Sequence, residues 1–157
     1  MKFIHVILAS LAGTAAMTAF LYLLSYATHR VMKVIKILGT MLLFRTQPDG
    51  SLSDAFSTKV VGTIAHYGVG AFFAVMYLAL WDSGLGLVSA SWSFLFGLAN
   101  GIVGMFAWYF FFLVHPNPPR IKLKTYLLTL IVAHIVFAFI TFYTYYLILE
   151  PGYTFWQ

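Results

Sequence analysis

Residues 60–80 read Val60-Val61-Gly62-Thr63-Ile64-Ala65-His66-Tyr67-Gly68-Val69-Gly70-Ala71-Phe72-Phe73-Ala74-Val75-Met76-Tyr77-Leu78-Ala79-Leu80. These 21 residues contain no Asp, Glu, Lys or Arg, and about 20 apolar residues in a helix cross a hydrocarbon layer of about 30 Å. Gly62, His66, Gly70 and Ala74 recur at every fourth position, so they share one helix face. That face combines a polar ring with small side chains. Lipid offers no hydrogen-bond partner, so such a face turns toward other helices. An ionisable residue at membrane depth also marks a candidate functional site.

The rest of the chain has the same character. Of its 157 residues, 62% are hydrophobic and only 8% charged, against about 25% charged in soluble domains. Too few polar side chains remain to coat a water-facing globule. The composition implies an all-α, polytopic integral membrane protein built as one membrane domain over residues 1–157. Cysteine is absent, which excludes disulfides, thiolate metal sites, iron–sulfur clusters and cysteine nucleophiles.

Working outward, the apolar patterning gives spans over about 3–27, 60–80, 89–114 and 126–149. The first follows Lys2 as a signal peptide would, but its apolar run continues to Leu24, too long for a signal-peptide core, and it reads as a retained helix. Between the first two spans, Arg30, Lys33 and Lys36 lie on one side of a helical pattern, with Val31, Ile35, Leu38 and Leu42 on another. This predicts a basic amphipathic helix on the membrane surface over about 29–44. A turn at Gln47-Pro48-Asp49-Gly50 follows, with Ser51 or Ser53 as the expected cap of the next helix. The third span contains Gly97, Gly101 and Gly104 for close helix approach and ends at His115-Pro116-Asn117-Pro118-Pro119. Glu150-Pro151-Gly152 stops the fourth.

With four spans, the loops after the first and third lie on the same side. Arg30, Lys33, Lys36, Arg45, Lys59, Arg120, Lys122 and Lys124, eight of the nine basic residues, fall in or beside those loops. The positive-inside rule therefore predicts both termini on the non-cytoplasmic side of a bacterial inner membrane. Arg30, Lys33, Lys36, Arg120, Lys122 and Lys124 form the expected membrane-surface set, with anionic lipid rather than nucleic acid as the partner of the net +5 charge. Trp81, Trp92, Tyr153 and Trp156 are the expected outer aromatic belt, and Trp108 and Tyr109 the inner one.

Each span presents a stripe of small or polar residues: Thr14 and Thr18; Gly62, His66 and Gly70; Gly97, Asn100, Gly101 and Gly104; His134 and Thr141. Meeting in a bundle, they would form a polar helix-packing layer, with hydrogen bonds worth about 0.6 kcal/mol each on average. The sharper alternative makes His66 and His134 axial ligands of haem b, or contacts of a quinone, in an electron-transfer subunit. The spans contain no Asp or Glu, so di-iron chemistry has no carboxylate ligands there, and a buried carboxylate for coupled transport is lacking. No Gly-x-Ser-x-Gly elbow or phosphate-binding loop occurs. The favoured expectation is a small non-enzymatic protein without a cofactor, an accessory or scaffolding subunit that packs against a larger membrane complex or itself. A small channel or carrier is the further alternative.

The orientation has a direct test, because a chain without cysteine gives a clean labelling background. A membrane-impermeant maleimide should label Gly84→Cys in intact cells and Asp49→Cys only after lysis; the opposite pattern overturns the orientation.

Overall fold

The computed structural model describes residues 1–149 and 155–156. It is all-helical over these residues: α1 (Lys2–Thr28), α2 (Val34–Leu42), α3 (Phe56–Asp82), α4 (Ala90–Val114) and α5 (Leu123–Ile148). All except α2 are long and apolar enough to cross a membrane, which makes this a multi-pass membrane protein. The expected stop of the last span at Glu150-Pro151-Gly152 and the belt residue Tyr153 lie outside the described residues.

The four long helices do not form a symmetric ring. α5 packs closely against both α1 and α4, α3 leans on α1, and α2 crosses the start of α3, whereas the backbones of α3 and α4 stand apart. Missing side chains set these distances. A Cβ on Gly13 would lie 2.0 Å from Thr141 Oγ1, and one on Gly70 would lie 2.1 Å from Thr14 Oγ1. Threonines thus sit in glycine notches on both sides of α1. On α4, the corresponding positions of Gly97 and Gly101 fall 2.6 and 2.7 Å from the Cα atoms of Ile135 and Ile131 on α5. The glycine spacing is spent within the chain.

The surface helix differs from its expected form. It runs from Val34 to Leu42 rather than over 29–44. His29, at φ 50°, takes the left-handed conformation that ends α1, and a turn separates it from α2. Nor does α2 lie with one apolar side on lipid, since Val34, Ile37 and Met41 are fully buried in the protein. The cause is a glycine crossing: a Cβ on Gly39 would meet Thr58 O at 1.9 Å, and one on Gly62 would meet Ile35 O at 2.0 Å. Backbone touches backbone there, so α2 is held against α3 as part of the core.

The connections beyond α2 interlock with those before α5. Thr46 Oγ1 donates to Asn117 O at 2.7 Å, and Arg120 N donates to Gly50 O at 2.8 Å. The helix-capping serine also departs from expectation. The position before α3 is Ala55, without a side-chain cap bond, while Ser53 Oγ accepts from Ala55 N and from Thr58 Oγ1. Lys36 pairs with Asp54, and its hydrogen bond holds that carboxyl below the usual carboxylate range. At the opposite end, Lys2 pairs with Asp82 at 2.9 Å, and Phe155 O accepts from Ala90 N at the start of α4.

The glycine crossing predicts that Gly62→Leu costs about 3 kcal/mol, because no flexible side chain can move aside. Gly68 on the same helix has nothing within 4 Å of its would-be Cβ, so Gly68→Ala should leave stability unchanged or raised. Thermal melting of the two variants in detergent checks the contrast.

Candidate functional site

The gap between α3 and α4 is a cavity of about 320 Å³. Thr14 and Met17 of α1 and His134 and Phe137 of α5 form its back wall. His66, Gly70 and Phe73 of α3 face Gly104, Ala107 and Trp108 of α4 across it, and Val34 and Leu38 of α2 close it from the basic end. Val69 and Val103, on its rim, are about half exposed, so the cavity opens sideways toward the hydrocarbon rather than along the bundle axis.

Along the bundle axis, away from α2, the cavity ends at an aromatic layer. Tyr77 packs on Phe96, Phe137 and Phe142, with ring centroids 5.5, 6.2 and 5.2 Å away. Asn100 Nδ2 donates to Tyr77 Oη and ties α4 to α3. Trp81, expected in the outer belt, instead turns inward and stacks on Tyr145 at 5.0 Å. Trp108, expected at the inner belt, lines the cavity, while Tyr109 and Trp156 stay exposed. The sequence marks these tryptophans as interfacial by position along the span, but their helix face decides, and it is the buried one.

Both histidines line the cavity, His66 from α3 and His134 from α5. His66 Nε2 lies 3.1 Å from Thr18 Oγ1, and Thr18 Oγ1 donates its one proton to Thr14 O at 2.7 Å. His66 Nε2–H is therefore the donor to Thr18, assigned from this network. His134 Nδ1–H donates to Leu130 O at 2.7 Å, and its Nε2 edge rests against Gly104, where a Cβ would come within 3.0 Å. His66 Nδ1 and His134 Nε2 are left with no protein hydrogen bond among the described residues. In neutral rings both are acceptors. One ring is anchored at the α1–α3 contact and the other at the α4–α5 contact.

Thr14 Oγ1 and Thr141 Oγ1 are buried without partners, in the notches of Gly70 and Gly13. Asn100 is taken up by Tyr77, and Gly62 belongs to the α2 crossing rather than the cavity. The basic residues also separate. Arg30, Lys33, Lys36 and Arg120 border a groove outside α2, whereas Lys122 and Lys124 are exposed away from it. Among the described residues, no three His, Asp or Glu side chains gather as metal ligands.

Two contributors were not assigned to the site from the sequence. Trp108 and Phe73 give the cavity its aromatic walls; their spacing relative to Gly104 and Gly70 was the available signal. His115, which ends the third span, is buried. Its Nε2–H donates to Met41 O at 2.9 Å, its Nδ1 accepts from Asn117 N at 3.2 Å, and Phe44 stacks on the ring at 4.9 Å. It fastens the end of α4 to the end of α2. No family model, curated protein or solved structure matches this chain.

Removing only the Tyr77 hydroxyl leaves the Asn100 amide without an acceptor. Tyr77→Phe should cost about 1 kcal/mol, and adding Asn100→Leu should recover part of that loss; a double-mutant cycle of melting in detergent reads the coupling.

Proposed function

We propose that this chain is a non-enzymatic inner-membrane protein that binds a membrane-dissolved aromatic alcohol, of the quinol class, in the cleft between α3 and α4. Its termini lie on the non-cytoplasmic side, following the charge bias of the loops. The observation that carries the reading is the pair of unpartnered imidazole nitrogens, His66 Nδ1 and His134 Nε2, on an apolar cavity that opens to lipid. Ligand sites combine mostly apolar walls with a few placed polar groups. Here the apolar walls include Trp108 and Phe73, flat partners for an aromatic ring.

The protonation pattern sets a preference. Two acceptor nitrogens match a ligand with two hydroxyl donors; an oxidised quinone brings only carbonyl acceptors and leaves both nitrogens unpaired. A buried polar group left without its partner costs about 1–3 kcal/mol. Haem b would need both free nitrogens aimed at one iron, whereas a quinol needs each only within hydrogen-bond reach of a hydroxyl. An axial water path for a channel would have to pass the Tyr77–Asn100 contact and the aromatic layer around it. The binding reading is compatible with an accessory subunit that holds a diffusible molecule for a larger complex.

Trp108 supplies the readout. Titrating the detergent-purified protein with a short-chain benzoquinol should quench part of its tryptophan emission saturably, and Trp108→Phe should abolish that part. His66→Phe and His134→Phe should each weaken binding about fivefold, as expected for one hydrogen bond of about 1 kcal/mol, and the matching benzoquinone should bind more weakly than the quinol. Quenching that survives Trp108→Phe, or a Soret band in the protein as isolated, would overturn the proposal.

A further inference from the structure

A second concavity lies at the basic end, on the opposite side of α2 from the histidine cleft. It has a volume of about 780 Å³ and runs between the end of α1, the turn into α2, the 49–54 loop and the residues before α5. Four cationic side chains border it: Arg30, Lys33, Lys36 and Arg120. Lys36 is committed to Asp54, which also lies 4.0 Å from Lys59. Lys33 and Arg120 have no side-chain ion pair or hydrogen bond among the described residues, and Arg30 reaches only Thr125 Oγ1 at 3.4 Å. The remaining acid, Asp49, accepts from Ser51 N at 2.9 Å, a hydrogen bond that holds its carboxyl below the usual range. Three cations against this one carboxylate leave the groove with excess positive charge.

Position and lining narrow what would neutralise it. The groove begins where α1 leaves the apolar layer, and Tyr22 and Tyr26 stand on that side of it. Tyrosine at this level places its ring among acyl chains and its hydroxyl among headgroups. Val31, Leu52 and Ile121 give the groove an apolar flank beside the charges. A soluble anion would use only the cations. A molecule with a phosphate and hydrocarbon chains would use both, and basic pockets between membrane helices on the cytoplasmic side bind such headgroups.

We infer that this groove is a site for an anionic phospholipid, with the phosphate held by Arg30, Lys33 and Arg120 and the chains descending past Tyr22 and Tyr26. The inference is independent of the occupant of the histidine cleft. It also divides the basic residues of the two loops, since Lys122 and Lys124 lie outside the groove and contribute only to the general surface potential.

Native mass spectrometry of the detergent-purified protein tests this with phosphatidylglycerol, phosphatidylcholine and inorganic phosphate as separate titrants. Phosphatidylglycerol should bind at one site and outcompete the other two. The pair Lys33→Gln/Arg120→Gln should weaken it roughly thirtyfold, taking about fivefold per basic residue, while Lys122→Gln/Lys124→Gln, with the same loss of charge, should change it less than about threefold. Equal losses in the two pairs would mean diffuse attraction and overturn the site. Inorganic phosphate binding as tightly as phosphatidylglycerol would overturn the lipid assignment. A photoreactive phosphatidylglycerol bound to the unmodified protein gives a readout that does not depend on the variants folding. Crosslinks within residues 22–36, 49–54 or 120–121 support the groove, and crosslinks confined to other segments reject it.

Discussion

Threonine hydroxyls seated on glycine backbones hold α1 between α3 and α5, and the shape of the molecule follows from that contact. Thr141 enters the notch at Gly13, and Thr14 enters the notch at Gly70. In hydrocarbon the water-driven attraction between apolar helices is absent, so close packing of this kind is what draws helices together. α4 satisfies the same need against α5 through Gly97 and Gly101. With α3 committed to α1 and α4 to α5, nothing comparable pulls α3 and α4 together at the basic half. The cleft is the space left between α3 and α4, which are joined through α1 and α5 rather than to each other there.

The same logic explains which polar residues serve packing and which remain available. Asn100 and Tyr77 satisfy each other, and His115 uses both ring nitrogens to join α2, α4 and the following turn. His66 and His134 each use one nitrogen for the fold and leave the other without a protein hydrogen bond among the described residues. A ring held by one nitrogen has a fixed orientation, so the other can be aimed without further help from the protein.

Much of this was legible in the sequence. Four helices followed from apolar runs of spanning length, and the repeat of Gly62, His66, Gly70 and Ala74 coincides with the buried face of α3. The interior of the site was less legible, because span length and helix period say which face is polar but not which neighbour it meets. Trp81 and Trp108 illustrate the gap: both occupy belt positions along their helices, and both turn inward. α2 illustrates another. Its basic and apolar sides read as a helix floating at an interface, whereas Gly39 opposite Gly62 brings it into backbone contact with α3, a pairing between distant residues that no local pattern expresses. His29 ended the preceding helix in a left-handed turn, shortening the expected segment from its start.

The crossing of α2 over α3 makes nine residues the common partition between two compartments. Val34 and Leu38 face the apolar cleft, and Lys33 and Lys36 face the charged groove. That wall is held by the Gly39–Gly62 contact, by His115 on Met41 O and by the pair of Lys36 with Asp54. Reciprocity would make any coupling transmitted through this shared wall equal in both directions. The shortest helix among the described residues is thus the wall shared by a charged groove and an apolar cleft.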